Sequence, residues 1–217
     1  MLYTALGDSI TAGELATSPA RAYPSLVTQN LRQHRRGWFG EVLAEPGWTS
    51  QTLNAAVWEN GPIPLQESNV ITIWVGGDNL ADAALAMLSG ARPTILKRSL
   101  AGYMQSLRAL IVGIRRVSRA GVVVCTQYNP FPNTPIAAQG IAALNEATRA
   151  VAAATSAAVA PVDEWFTGRQ AELIAGYRTG RVQDVFRSVP VPIHPNNRGH
   201  RVIADGLTPI VANAYTP

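Results

Sequence analysis

Four short polar clusters interrupt a chain otherwise rich in apolar runs: Gly7-Asp8-Ser9-Ile10-Thr11, Pro46-Gly47-Trp48-Thr49-Ser50, Gly76-Gly77-Asp78-Asn79 and His194-Pro195-Asn196-Asn197-Arg198-Gly199-His200. They contain two serines, Ser9 and Ser50, and two histidines, and a serine hydroxyl becomes an effective nucleophile once an imidazole accepts its proton. The tetrahedral oxyanion formed by its attack must then be met by fixed hydrogen-bond donors. Each residue also has an ordinary explanation. Ser9 is placed to cap a helix, Gly47 to turn the chain after Pro46, and His194 to sit in a solvated loop. His200, inside a helical stretch, reads as a hydrogen-bonded structural histidine. No metal chemistry is implied, because three scattered His and one Cys have no ligand spacing.

Such residues act together only if the fold brings them together, and the intervening pattern describes such a fold. Leu2 to Leu6 is an apolar strand ended by the turn residues Gly7-Asp8-Ser9. Tyr23 to His34 is amphipathic, Gly40 to Ala44 is a short strand, and Ser50 to Glu59 is a helix. Asn69 to Val75 is β-branched and apolar throughout, the clearest strand in the chain. Leu96 to Arg119 has helical periodicity, Gly121 to Thr126 is a buried strand, Gln139 to Ala154 an Ala-rich helix, and Ala157 to Val162 a last strand. Glu164 to Tyr177 and Arg198 to Ala214 close the chain as helices. Apolar strands separated by helices predict an α/β fold, a three-layer α/β/α sandwich around a central parallel sheet. In such folds ligands sit at the carboxyl ends of the strands, where the first three clusters fall.

Global composition limits the functional classes. The 217 residues, 47% hydrophobic and 15% charged, suit one domain spanning 1–217 with a full core. Cys125, the single cysteine, lies in an apolar run and reads as a small buried hydrophobe. A net charge of +4 and a pI near 9.6 raise the question of nucleic acid. Yet the basic residues, among them Arg32, His34, Arg35, Arg36, Arg108, Arg115, Arg116 and Arg119, come without interleaved aromatics, and the helical spacing of Arg108, Arg115 and Arg119 describes a solvated face. No nucleic-acid partner is expected. Nowhere do about 18 uninterrupted apolar residues occur, and the chain opens directly into a strand without a leader pattern. The expectation is a cytoplasmic protein as given, with a secreted mature form, trimmed of its leader, left open together with the oligomeric state.

The four clusters, in this order and over essentially the whole chain, resemble the GDSL, or SGNH, hydrolase family, whose sequence blocks supply Ser, Gly, Asn and His. "GDSIT" after the first strand and "HPNNRGH" opening the last helix carry most of the likeness. The resemblance implies a flavodoxin-like SGNH fold and a carboxylic ester hydrolase that needs no cofactor. It implies an acyl-enzyme on Ser9, His194 as general base, and an oxyanion hole built from the backbone N–H groups of Ser9 and Gly47 and an asparagine side chain.

Two positions depart from the family pattern. The third block usually reads Gly-X-Asn-Asp, but here Asp78 precedes Asn79, so a carboxylate stands where a donor is expected. Asn79 is read as the donor, with Asp78 the competing occupant of that position. The acid that family members place three residues before the histidine is Val191 here. Either a main-chain carbonyl of the Pro-stiffened loop orients His194 in a Ser–His dyad, or Asp184 or Asp163 reaches in from elsewhere. Trp48, Leu80, Tyr128 and Asn129 are expected to line a pocket for a small-molecule ester, with lipid acyl esters and acetylated carbohydrates as the leading classes. The alternative is a catalytically weakened or inactive protein of the same fold that serves as a ligand-binding module.

Overall fold

The computed structural model describes residues 1–59, 61 and 63–215. In chain order the elements are β1 (Leu2–Gly7), α1 (Ser9–Ala12), α2 (Tyr23–His34), β2 (Phe39–Ala44), α3 (Ser50–Glu59), α4 (Ile63–Glu67), β3 (Val70–Trp74), α5 (Gly77–Leu88), α6 (Thr94–Val117), β4 (Gly121–Cys125), α7 (Pro135–Thr155), β5 (Ala158–Ala160), α8 (Val162–Phe166), α9 (Gln170–Leu173) and α10 (Asn197–Ala214). The five strands form one parallel sheet in the order β2-β1-β3-β4-β5. The chain winds outward in opposite directions from β1 and β3, so a crevice opens at their carboxyl ends.

Strand alternation divides the core in two. Tyr3 and Ala5 of β1, Val70 and Trp74 of β3, and Val123 and Cys125 of β4 pack with residues of α2, α8 and α10 such as Leu26, Phe166, Ile203 and Leu207. The intervening side chains Leu6, Ile71, Ile73, Val122 and Val124 pack against α3, α6 and α7 through Leu53, Leu107, Ile111 and Val151. Burial on both faces explains why β3 reads as a continuous apolar run. Polar side chains inside are paired: Tyr3 with Thr72 at 2.9 Å, and Trp74 Nε1 donating to Gln127 at 2.8 Å. On α6, Tyr103, Leu107, Leu110, Ile111 and Ile114 face inward, while Arg108, Arg115 and Arg116 are exposed. Among the described residues no helix is long and apolar enough to cross a membrane.

The architecture is the expected three-layer sandwich, with local corrections. The helix expected over Glu164 to Tyr177 is two short helices, α8 and α9, separated at Gly168, whose φ of 76° is left-handed. The last strand is shorter than expected, because Val162 already begins α8. Helix α5 lies where the sequence suggested only a polar turn: the Gly76-Gly77-Asp78-Asn79 cluster is its first turn.

Candidate active site

The turn after β1 is fixed from several directions. Asp8 is the N-cap of α1, its carboxylate accepting from the Ile10 N–H at 3.1 Å, and its own N–H reaches the Trp74 carbonyl. Gly7 permits this close passage, since a Cβ there would collide with Thr11 and with the Trp74 carbonyl. Because Asp8 takes the cap, the Ser9 hydroxyl is left for another partner. That partner is His194: Ser9 Oγ lies 2.9 Å from Nε2 of the imidazole. The structure thus joins the first cluster to the last.

His194 stands just before α10, where Asn196 caps the helix by accepting from the N–H groups of Arg198 and Gly199. Its own carbonyl accepts from Ala175 N–H, which ties the segment to the chain after α9. Among the described residues nothing hydrogen-bonds to His194 Nδ1. Two main-chain carbonyls of the preceding loop are used elsewhere: Val191 O accepts from Ile193 N–H, and Ile193 O from the Tyr128 hydroxyl at 2.6 Å. Neither Asp184 nor Asp163 is near enough to substitute. Asp184 is taken up by the Thr179 N–H and hydroxyl at 2.7 and 2.9 Å, and Asp163 by Arg149 and Thr126 at 2.9 and 2.6 Å. Both are structural carboxylates that hold loops and helix starts in place. The carboxylate beside the imidazole is Glu14, whose Oε2 lies 3.5 Å from Nε2. Burial lowers the His194 pKa below the ordinary imidazole value, with Glu14 opposing the shift.

Asn79, nearly buried at the start of α5, has its carboxamide oriented by two contacts. Its Oδ1 accepts from Ser50 N–H at 2.9 Å, and its Nδ2 donates to Gln51 Oε1 at 2.8 Å. One Nδ2 hydrogen remains uncommitted. The backbone N–H groups of Ser9 and Gly47 likewise have no acceptor among the described residues. Gly47 is exposed with φ 84°, a left-handed turn that suits glycine. Asp78 is next to Asn79; burial, and then repulsion from Asp82 and Glu14, raise its pKa, against a contact with its own backbone N–H.

The residues expected to form a pocket divide. Tyr128 is fully buried, stacked on Phe166 at 4.3 Å, with its hydroxyl supporting the His194 loop, so it is a wall of the core. Asn129 makes a local turn, its Oδ1 accepting from Phe131 N–H. Trp48 and Leu80 are half-buried against the α3–α6 side of the core. Two surface grooves of about 480 and 500 Å³ lie instead along α6, away from Ser9, lined by residues such as Trp58, Val112 and Arg116 in one and Met104, Arg108 and Ala154 in the other. Among the described residues no group of His, Cys, Asp and Glu could hold a metal ion. Sequence reasoning missed Glu14 and Gln51; neither occupies a position that turn or helix chemistry marks.

Comparison with known proteins bears on the family and the fold. Residues 5–202 match the GDSL-like Lipase/Acylhydrolase family. Similar solved structures include the lipase Lip_vut3 from a goat rumen metagenome (TM-score 0.79, 21% identity, 95% of each chain covered). Axe2, an acetylxylan esterase from Geobacillus stearothermophilus, is similar at TM-score 0.72 and 17% identity, over 97% of this chain and 93% of that one. TesA is similar at TM-score 0.70 and 18% identity, over 99% of both chains. No curated protein matches the sequence. At these identities the structural likenesses speak for the fold.

Proposed function

Since the chain belongs to the GDSL-like lipase/acylhydrolase family, we infer that it is a serine ester hydrolase in which Ser9 is the nucleophile and His194 the general base. The observation that carries this reading is the 2.9 Å contact between Ser9 Oγ and His194 Nε2 at the carboxyl edge of the sheet. Ser9 Oγ attacks the ester carbonyl carbon while its proton passes to Nε2. The carbonyl oxygen becomes an oxyanion beside the free N–H groups of Ser9 and Gly47 and the uncommitted Asn79 Nδ2 hydrogen. Collapse expels the alcohol, which takes the proton from Nε2 and leaves an acyl group on Ser9. Water, deprotonated by the same nitrogen, then releases the acid. Carboxylic esters are the substrate class, with lipid acyl esters and acetylated sugars its leading members; a lipase and an acetylxylan esterase share the fold.

One observation favours the weakened alternative, a ligand-binding protein of this fold: the imidazole lacks a partner at Nδ1 among the described residues. A fluorophosphonate probe separates the two. The hydrolase labels, and Ser9→Ala abolishes labelling. A folded wild type that stays unlabelled and turns over no short-chain ester removes the hydrolase reading.

A further inference from the structure

Glu14 has a side chain that is 41% exposed, yet its main chain is held with unusual care. Its N–H donates to the Ser9 carbonyl at 3.0 Å, and its carbonyl faces His200 Nε2 at 3.3 Å. His200 is fully buried, and its Nδ1 accepts the Tyr23 N–H at 3.3 Å. The neutral ring therefore carries its proton on Nε2 and donates to Glu14. On either side Gly13 has φ 87° and Leu15 φ 61°. A leucine adopts the left-handed region only against a cost, and such outliers gather where a side chain must be aimed. The carboxylate is aimed at His194 Nε2, 3.5 Å away, the same nitrogen that faces Ser9 Oγ.

We propose that Glu14 is a catalytic residue, its carboxylate stabilising the His194 imidazolium from the Nε2 side in place of the acid missing from the loop before His194. This rests on Ser9 and His194 being nucleophile and base. When Ser9 attacks, its O–H bond breaks and Nε2 gains the proton, so a cation forms within 3.5 Å of a carboxylate. When the proton passes on to the leaving alcohol, the cation and the attraction both vanish. The stabilisation therefore acts on the charged states that flank each proton transfer and not on resting enzyme with neutral histidine, which is the differential effect catalysis requires. The neighbouring charges do not compete for this role. His200 from α10 stays neutral, its protonation disfavoured by burial and by His194, Asp78 from α5 repels the Glu14 carboxylate with Asp82 behind it, and Arg198 of α10 is paired with Glu172 at 2.8 Å.

The experiment measures kcat and KM for a neutral short-chain p-nitrophenyl ester from pH 4 to 9 in wild type, Glu14→Gln and Glu14→Asp, with NMR titration of the His194 ring in each. Glu14→Gln is expected to lower the plateau kcat about tenfold or more with little change in KM, and to move both the acidic limb and the His194 titration down by about one pH unit. Glu14→Asp should recover part of each effect. A folded Glu14→Gln protein whose His194 titration stays in place, or whose plateau kcat is unchanged or higher, overturns the proposal while leaving Ser9 and His194 in their roles. A wild type without turnover or labelling overturns those roles, and with them the catalytic role of Glu14.

Discussion

The two halves of the Ser9–His194 pair are built differently. On the nucleophile's side, Gly7 to Thr11 is buried, and the turn is fixed by the Asp8 cap, the Trp74 carbonyl and the Thr11–Tyr23 contact at 2.8 Å. On the base's side, the segment leading to His194 is exposed and apolar: Phe186 is 82% exposed and Val189 fully so, with Val191 and Ile193 exposed beyond it. The carbonyls of Val191 and Ile193 are taken by a turn and by Tyr128, and among the described residues no carbonyl of the segment accepts from the imidazole. The comparison teaches that local turn chemistry is enough to hold Ser9, whereas His194, with Val191 where the family places an acid, meets its nearest carboxylate, Glu14, from a distant part of the chain.

The strongest way to break the comparison is to remove either partner. Ser9→Ala and His194→Ala should each lower kcat by about 10⁴-fold or more, and the double variant should lose no more than the worse single one, because the two act as a unit. Additive losses in steady-state kinetics would show two independent functions. A smaller effect is expected from the donor arm: Asn79→Ala should reduce kcat about 10²- to 10³-fold with KM nearly unchanged. Gln51→Ala, which frees the Asn79 carboxamide to rotate, should give about a tenfold loss in the same direction. An unchanged kcat in Asn79→Ala would leave oxyanion stabilisation to the backbone donors alone.

How much of this could be read in the sequence follows from the same contrast. The alternation of apolar strands and helices fixed the sandwich because burial on both faces leaves continuous runs such as Val70 to Trp74. The GDSIT and HPNNRGH clusters pointed to Ser9 and His194 through their resemblance to the blocks of the GDSL family, since turn and cap chemistry alone read the two as a helix cap and a loop histidine. Contacts between distant segments leave no local signature. Glu14 meets His194 across most of the chain, Gln51 meets Asn79 between two helices, and Asp163 and Asp184 found nearer partners in Arg149 and Thr179. Helix α5 was hidden because its first turn is Gly77-Asp78-Asn79, residue types that favour turns when tertiary packing does not decide.

Milder substitutions sharpen the view of the base's side. Asp163→Asn and Asp184→Asn should leave kcat within about twofold of wild type while lowering thermal stability, since both carboxylates hold structure rather than the imidazole. Val191→Asp restores an acid at the family's position, and should raise kcat several-fold and move the acidic limb of the pH–rate profile upward. Starting from wild type, where burial depresses the His194 pKa, that limb is expected below pH 6.5. A limb above that value would mean that Glu14 outweighs burial.

The smallest effects lie in stability, where the two sides should respond to pH in opposite directions. His200, next to the base, has its pKa pushed by burial from 6.5 down to about 4. Its contribution is complete above pH 6.5 and is lost as pH falls toward 4, because over that window the unfolded chain binds the proton more readily. Asp8, at the nucleophile, is pushed by burial, and then by Asp78, from 3.8 up to about 8. The folded state favours its protonated form, so its contribution is complete below about pH 4 and is lost as pH rises toward 8. Asp8→Asn keeps an oxygen to cap the Ile10 N–H and removes the ionisation, so its advantage over wild type should grow from pH 4 to pH 8 and reach several degrees in Tm. His200→Gln should be less stable in absolute terms, through lost contacts with Tyr23 and Glu14, but flatter between pH 6.5 and 4. Urea midpoints at unit pH intervals read both slopes. An Asp8→Asn curve parallel to wild type across this range would show that Asp8 folds ionised, and that the nucleophile's turn holds a charge rather than a neutral acid.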